Sequence, residues 1–339
     1  MQVTEADGFE VFDSDRELIQ SWIVEVIEDE YQNSMMKDMI LPFFANAKAK
    51  KLRPLIILNM FRTIYGEEYN QNVRDKVKHL CAALEISHNA SLMIDDVFDK
   101  DIVRRGKNAF HVEFGTFAAL SAGYNLSAFV FDLATRTDNH QIVREIGKVG
   151  TALSSALFMS KDLISRKRVS REYFMDLLYR KTSALFVSCS KTAALLASDD
   201  EQVIEAAEKF GEYFGTAYQL RDDVLAIIGN KSDLGKPPHS DITNRFQSLI
   251  TIEAMDLADE DQYKILREFY QLQKDRDPEL IQDILIDTGA VRKVAELTLE
   301  YVEKAREILD GFDQSASQQK LHVLLNKINF NKYNSELFD

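Results

Sequence analysis

Five prolines and thirteen glycines are spread over 339 residues, which leaves little to interrupt a helix. Between those breakers apolar residues recur at helical spacing. Nowhere do Val, Ile and Thr alternate between hairpin turns, so no sheet is expected. The chain therefore reads as all-α, a single large helical bundle over residues 1–339 whose core can carry a metal or ligand site. Ser14 offers an N-cap, with Glu17 in the capping-box position before Leu18, Ile19, Trp22 and Ile23. A second helix should start near Arg53-Pro54. Others are expected over about 72–99, 116–135, 142–164, 171–197, 200–228 and 243–257, with three or four more to follow. Two loop-like breaks stand out: a lysine-rich one at 45–52, and 229–240, which holds Gly229, Gly235, Pro237 and Pro238.

The balance of 41 basic against 55 acidic residues gives a net charge of −14. A field of that sign argues against nucleic acid as a partner and makes the basic clusters informative. No run approaches the roughly 18 apolar residues of a transmembrane segment, so none is expected. The first ten residues are acidic, without the basic-then-apolar order of a signal peptide. Cys81 and Cys189 fit neither a disulfide framework nor a zinc pattern, and a reducing cytoplasm is the default.

Asp95-Asp96-Val97-Phe98-Asp99 closes an amphipathic helix. Asp95 and Asp99 share a face, and Asp96 lies one residue round. Three carboxylates at the negative end of a helix dipole repel one another unless a cation compensates. Magnesium suits the position, because it takes oxygen ligands from one or two carboxylates together with substrate phosphates. The small and apolar run Ala90-Ser91-Leu92-Met93-Ile94 aims these acids into a cavity, although a solvated helix end has much the same composition. A second pair, Asp222-Asp223, follows Gln219 on another helix, and Gln219 shares a face with Asp222. Two acidic helical segments far apart in sequence are what a metal site built between helices leaves behind.

Lys50-Lys51-Leu52-Arg53-Pro54 puts three cations before a helix, where the N-terminus already favours anions. Arg104-Arg105-Gly106-Lys107 follows the first acidic motif and can reach two anions; each cluster can equally neutralise nearby acids. Lys181-Thr182, Gly235-Lys236 and His88 are weaker single signals.

Taken in order, Lys50 to Pro54, Glu85 to Asp96, Arg104-Arg105-Gly106, Lys181-Thr182, Gln219 to Asp223 and Gly235-Lys236-Pro237 resemble the trans-isoprenyl diphosphate synthases, or polyprenyl synthetases. The resemblance spans about 45–249 with motif order and spacing kept. It implies a homodimer of the isoprenoid synthase type with a central cavity, and three magnesium ions bridging two acidic motifs to an allylic diphosphate. It implies Asp95, Asp96 and Asp99 as metal ligands on one side, and Asp222 and Asp223 on the other. Arg104, Lys181, Gln219 and Lys236 would hold the allylic diphosphate. Lys50, Arg53, His88 and Arg105 would hold isopentenyl diphosphate, and Thr182 would lie near the developing cation. Ionisation of the allylic carbon–oxygen bond, attack by the isopentenyl double bond and loss of a proton would then lengthen the chain.

The sequence departs from that family at Lys48-Ala49, which replace a glycine pair, and at Tyr124, which replaces an aspartate after Gly123. Met159 stands where a glutamine is usual, Ala226 where the second motif has a third acid, and Arg245-Phe246 where a glycine-lysine pair is usual. Arg245 is the candidate substitute for that lysine. Two other readings remain: a class I cyclase on the same fold, which retained Lys50, Arg53 and Arg105 oppose, and a non-catalytic partner subunit, which Asp95, Asp96 and Asp99 oppose. The resemblance implies that a bulky aromatic five residues before Asp95 stops short chains; Ala90, Ser91 and Ser87 are small, so products of twenty carbons or more are expected. The alternative is that these residues allow close helix packing and that Tyr124 or Phe117 closes the pocket.

Overall fold

The helical periodicity is realised along the chain. A computed structural model describes residues 9–32, 34–45, 50–104, 106–166, 168–229, 240–333 and 337–338. Its helices are α1 (Asp13–Glu30), α2 (Ser34–Phe44), α3 (Leu52–Tyr65), α4 (Gln71–Asp99), α5 (Phe110–Phe114), α6 (Thr116–Thr135), α7 (His140–Ser165) and α8 (Arg171–Leu178). A π-helical turn, Tyr179–Ser183, leads into α9 (Ala184–Ala197). Then come α10 (Glu201–Ile228), α11 (Ser240–Thr243), α12 (Leu249–Leu257), α13 (Glu260–Tyr270), α14 (Pro278–Asp287), α15 (Ala290–Asp310) and α16 (Ala316–Asn326). Among the described residues the only strands are β1 (Val103–Arg104) and β2 (Lys107–Asn108), an antiparallel pair. The fold is all-α.

Two compact units form, each from separated segments. The first comprises Met1–Leu153, Leu185–Gly211 and Glu307–Leu324; the second comprises Ser154–Ala184, Glu212–Arg306 and Leu325–Asp339. In the first unit α4 packs against α1, α3 and α6. Its Val77, Leu80, Leu84, Ile86 and Met93 are buried, as are Ile19, Trp22, Ile23 and Ile27 of α1. Each such side chain contributes roughly 1.5–3 kcal/mol on burial. At Gly123 a Cβ would stand 2.7 Å from Ile94 of α4, so glycine sets how closely α6 approaches. The second unit has its own core, which includes Phe174, Leu177, Leu220, Val224, Ile250, Leu266, Phe269, Ile281 and Leu285.

Several expectations are corrected. Ser14 lies inside α1, whose N-cap is Phe12 with no side-chain cap; a 3₁₀ turn, Glu10–Phe12, enters the helix directly and is anchored by buried Phe12. The helix expected at 243–257 is two helices, α11 and α12, separated where Arg245 adopts a left-handed φ of 55°. The stretch 171–197 is helical throughout but swells into a π turn at its centre. Helix α6, with mean hydropathy 1.3, is long and apolar enough to cross a membrane, a property that a search for unbroken apolar runs misses. Core helices share that composition; 44% of its apolar window is buried.

Candidate active site

In the first unit, the acids sit at the end of α4. Lys100 takes a left-handed φ of 58° and caps the helix onto the Asp96 carbonyl, so α4 stops immediately after Asp99. The chain then turns through β1 and β2, with Gly106 at φ 76° in the turn between them. That hairpin returns Arg104 to Asp96: Arg104 Nε donates to Asp96 Oδ1 at 2.9 Å and to Oδ2 at 3.2 Å, and Arg104 Nη2 also binds Oδ1. Asp96 is buried, Asp95 half-buried and Asp99 exposed. Burial works against the Arg104 charge, but the hydrogen bond and field of Asp96 outweigh it and hold the guanidinium above its ordinary pKa. The resemblance implied Arg104 on a diphosphate and Asp96 on a metal; in the structure the two are paired with each other.

At the start of α3, Lys50 is exposed, its Nζ 6.0 Å from the Phe9 ring centroid. The Arg53 guanidinium lies 4.7 Å from the ring centroid of Phe186. Lys51 turns inward instead, with its Nζ 3.6 Å from Glu85 Oε1. His88 is half-buried on α4, and its carbonyl accepts from Ser91 Oγ at 2.8 Å. Arg105 and Lys236 lie outside the described residues.

In the second unit, Lys181 and Thr182 occupy the π turn, a feature frequent at functional sites. Lys181 is exposed and Thr182 buried. Thr182 Oγ1 donates to Gln219 Oε1 at 2.7 Å, and Gln219 Nε2 donates to Asp223 Oδ1 at 2.8 Å. Ser183 and Thr216 form a parallel link at 3.1 Å. Asp223 is 6% exposed, and its Oδ2 has no hydrogen-bond partner among the described residues. Burial pushes the Asp223 carboxyl up to about 7; the Gln219 hydrogen bond and Lys181 pull it down, while Asp241 and Asp222 raise it. Asp222 is half-exposed and lies 3.4 Å from Arg221 Nη1.

Asp223, Ala226, Asp241, Phe246, Thr251 and Tyr270 line a cavity of ≈ 10 Å³, room for about one water. Asp241 thus reaches the space that the third acid of the motif leaves empty at Ala226, which sequence reading missed. Arg245 does not replace the missing lysine. Its Nη1 donates to the Phe269 carbonyl at 2.7 Å, its Nη2 pairs with Asp275 at 2.8 Å, and the guanidinium stacks on Phe269. Beside Met159, Tyr173 donates its hydroxyl to Asp162 Oδ2 at 2.8 Å and to the Met159 carbonyl at 3.2 Å.

A hard cation suits both acidic groups. Asp223 holds an orphaned buried carboxylate oxygen, and Asp95 and Asp99 crowd a helix C-terminus. Among the described residues no three acidic, histidine or cysteine side chains form a ready-made metal cage. The large surface cleft of the first unit, ≈ 580 Å³, is elsewhere: Lys191 bridges Glu145 and Glu208 there, and none of the expected site residues lines it.

Comparison with known proteins gives a consistent result. The Polyprenyl synthetase family matches residues 35–287. A geranylgeranyl pyrophosphate synthase from Geoglobus acetivorans is 32% identical over 285 residues, covering 82% of this chain and 85% of that one. A short chain isoprenyl diphosphate synthase from Methanocaldococcus jannaschii is 31% identical over 244 residues, covering 71% and 72%. The crystal structure of geranylgeranyl pyrophosphate synthetase from Pyrococcus horikoshii superposes with a TM-score of 0.84 at 26% identity, covering 94% of this chain and 97% of that one.

Proposed function

Because the chain belongs to the polyprenyl synthetase family and is a trans-prenyltransferase, we propose that it condenses isopentenyl diphosphate with an allylic diphosphate, using magnesium, to give a trans-polyprenyl diphosphate of twenty carbons or more. The observation that carries the site assignment is the chain Thr182–Gln219–Asp223, which ends in a buried carboxylate oxygen without a partner. Asp95, Asp96 and Asp99 of the first motif and Asp222 and Asp223 of the second would hold magnesium. Once bound, the metal supplies Lewis-acid charge that favours departure of the allylic diphosphate. Asp96 becomes available as Arg104 transfers from it to that diphosphate. By the family resemblance, Lys181, Gln219 and Lys236 would orient an allylic diphosphate. Thr182 donates its hydroxyl hydrogen bond to Gln219, so its lone pairs remain for the positive charge that develops on the allylic carbon. Lys50, Arg53 and His88, with Arg105 assigned by sequence, hold isopentenyl diphosphate for attack on that carbon.

The test is Asp95→Ala and Asp222→Ala. Each should lower turnover a hundredfold or more, roughly 3 kcal/mol, while the helical circular dichroism stays intact. Near-normal turnover in either variant removes the assignment.

Product length follows from α4. Ala90 is buried, whereas Ser87 and Ser91 are part-exposed on the side that leads to Asp95; Leu84 is fully buried one turn further back. A turn rises about 5.4 Å, close to one isoprene unit. Tyr124 and Phe117, the other candidates for closing the pocket, are 82% and 86% exposed on α6. The names of the Geoglobus and Pyrococcus relatives agree with a twenty-carbon product.

A homodimer is part of the proposal. Phe117, Leu120, Tyr124 and Phe131 of α6 share one exposed face, an apolar stripe that a second copy would cover. Sedimentation showing a monomer at assay concentration would contradict it. The family match crosses segments of both units, which supports reading 1–339 as one domain. Cys81 and Cys189 are both free and buried, in keeping with a reducing, cytoplasmic setting; protein recovered only outside the cytoplasm would contradict that.

A further inference from the structure

Lys51 breaks the pattern of its neighbours. Lys50 is exposed, and Arg53 lies on Phe186, but Lys51 is 5% exposed. It holds a left-handed backbone, φ 51° and ψ 34°, at the N-cap of α3. Left-handed conformations are uncommon for residues other than glycine, and they persist where surrounding contacts over-determine them. The contact here is with Glu85 on the buried face of α4: Lys51 Nζ lies 3.6 Å from Glu85 Oε1, with the two side chains 3% and 4% exposed. Glu85 is itself fixed, because Asn89 Nδ2 donates to its Oε1 at 3.2 Å and to its carbonyl at 2.8 Å. Cys81 Sγ, one turn earlier on α4, approaches the Pro54 carbonyl at 3.8 Å and ties the same two helices together. Arg53 and Glu85 share one neighbourhood: burial pushes the Cys189 thiol up to about 12, Arg53 pulls it down and Glu85 adds to the rise.

A buried ion pair is a poor source of stability, since apolar residues of similar size usually serve as well. This pair spans α3 and α4 at the left-handed turn that lies between exposed Lys50 and Arg53 on Phe186. We propose that Lys51 and Glu85 are positioning residues for isopentenyl diphosphate: their buried pair locks the left-handed turn that aims Lys50 and Arg53 at one diphosphate. The proposal rests on the assignment of Lys50 and Arg53 above. Neither residue touches the substrate; both act through the N-terminus of α3.

The test uses the full-length protein with Lys51→Met, Lys51→Arg and the double variant Lys51→Met/Glu85→Met. Binding of isopentenyl diphosphate is read by calorimetry, and KM and kcat are read for each substrate. Lys51→Met should weaken isopentenyl diphosphate by about tenfold or more, the size of a lost charge-assisted contact, and leave the allylic KM within about threefold. Lys51→Arg keeps the pair and should restore affinity. The double variant leaves no orphaned charge, so it should unfold at or above the parental urea concentration and still bind isopentenyl diphosphate weakly. If Lys51→Met does not fold, the double variant decides alone. Recovery of both stability and affinity in the double variant overturns the proposal, as does equal loss for both substrates. A parent protein that neither binds nor consumes isopentenyl diphosphate sinks the functional reading and this proposal with it; a parent that binds it, with unaffected variants, sinks the proposal alone.

Discussion

Replacing Asp223 by asparagine should make the metal-free protein relatively more stable as pH rises, while removing its activity. Burial raises the Asp223 carboxyl from its ordinary 3.8 to about 7, so the folded chain binds this proton more tightly than the unfolded chain. Wild-type stability from this group is therefore full below the unfolded pKa and is lost as pH rises through about 7. Asparagine does not titrate. The difference in stability should move toward Asp223→Asn by up to about 1.4 kcal/mol per pH unit, reaching on the order of 2–4 kcal/mol above neutrality. The new amide nitrogen occupies the place of the unpartnered Oδ2, which takes back about 1–3 kcal/mol at every pH. The slope is therefore the diagnostic quantity, rather than the offset. Urea unfolding in EDTA between about pH 5 and pH 8, followed by circular dichroism, reads that slope. With magnesium at pH 8, turnover should fall by about a hundredfold or more. A pH-independent difference refutes the buried, proton-retaining carboxyl, and retained turnover refutes its role with the metal.

Other substitutions test separate parts of the account. Arg53→Ala should weaken isopentenyl diphosphate by about 1.5–3 kcal/mol with little change for the allylic substrate; equal loss for both in steady-state kinetics means the two pockets are misassigned. Ala90→Phe should shorten the product, because the floor returns just before Asp95, although fitting the ring beside α6 will cost about 1–3 kcal/mol of stability. Chromatography showing an unchanged product length from a folded variant rejects that determinant. Gly211→Ala should lower stability by about 1–3 kcal/mol, since its Cβ would stand 2.7 Å from the Phe186 carbonyl and from Val187 Cα, backbone that cannot step aside. Gly147→Ala meets only the Phe131 ring, at 3.7 Å, and should be neutral or mildly stabilising; equal urea midpoints for the two alanine variants would contradict the packing argument.

The helices were legible because period and breakers are local properties. Helix α6 appears at the bounds that periodicity gives, and α4 begins within a residue of them. The acids of both motifs were legible because their spacing on a helix fixes which face they share. What was not legible depends on tertiary contacts. The break at Arg245 and its attachment to Phe269 and Asp275 require a partner from another helix, so the residue that looked like a spare phosphate ligand is a structural one. Lys51 looked like one more cation in a basic cluster, and only the fold shows that it points the opposite way. Its partner Glu85 lies on the buried side of α4 with Asn89, and a buried carboxylate needs a cation or donors, but the sequence does not say which cation reaches it. Asp241 carried no local signal, since its place beside Asp223 in one cavity depends on tertiary packing.

The central claim is chain elongation, and one incubation tests it most directly. Purified protein is mixed with magnesium, radiolabelled isopentenyl diphosphate and, in turn, dimethylallyl, geranyl or farnesyl diphosphate; the products are dephosphorylated and sized. The account predicts labelled trans-prenyl alcohols of twenty carbons or more, formed only when magnesium and both substrates are present. Label that never enters a longer chain, or hydrocarbon formed without consumption of isopentenyl diphosphate, would contradict it.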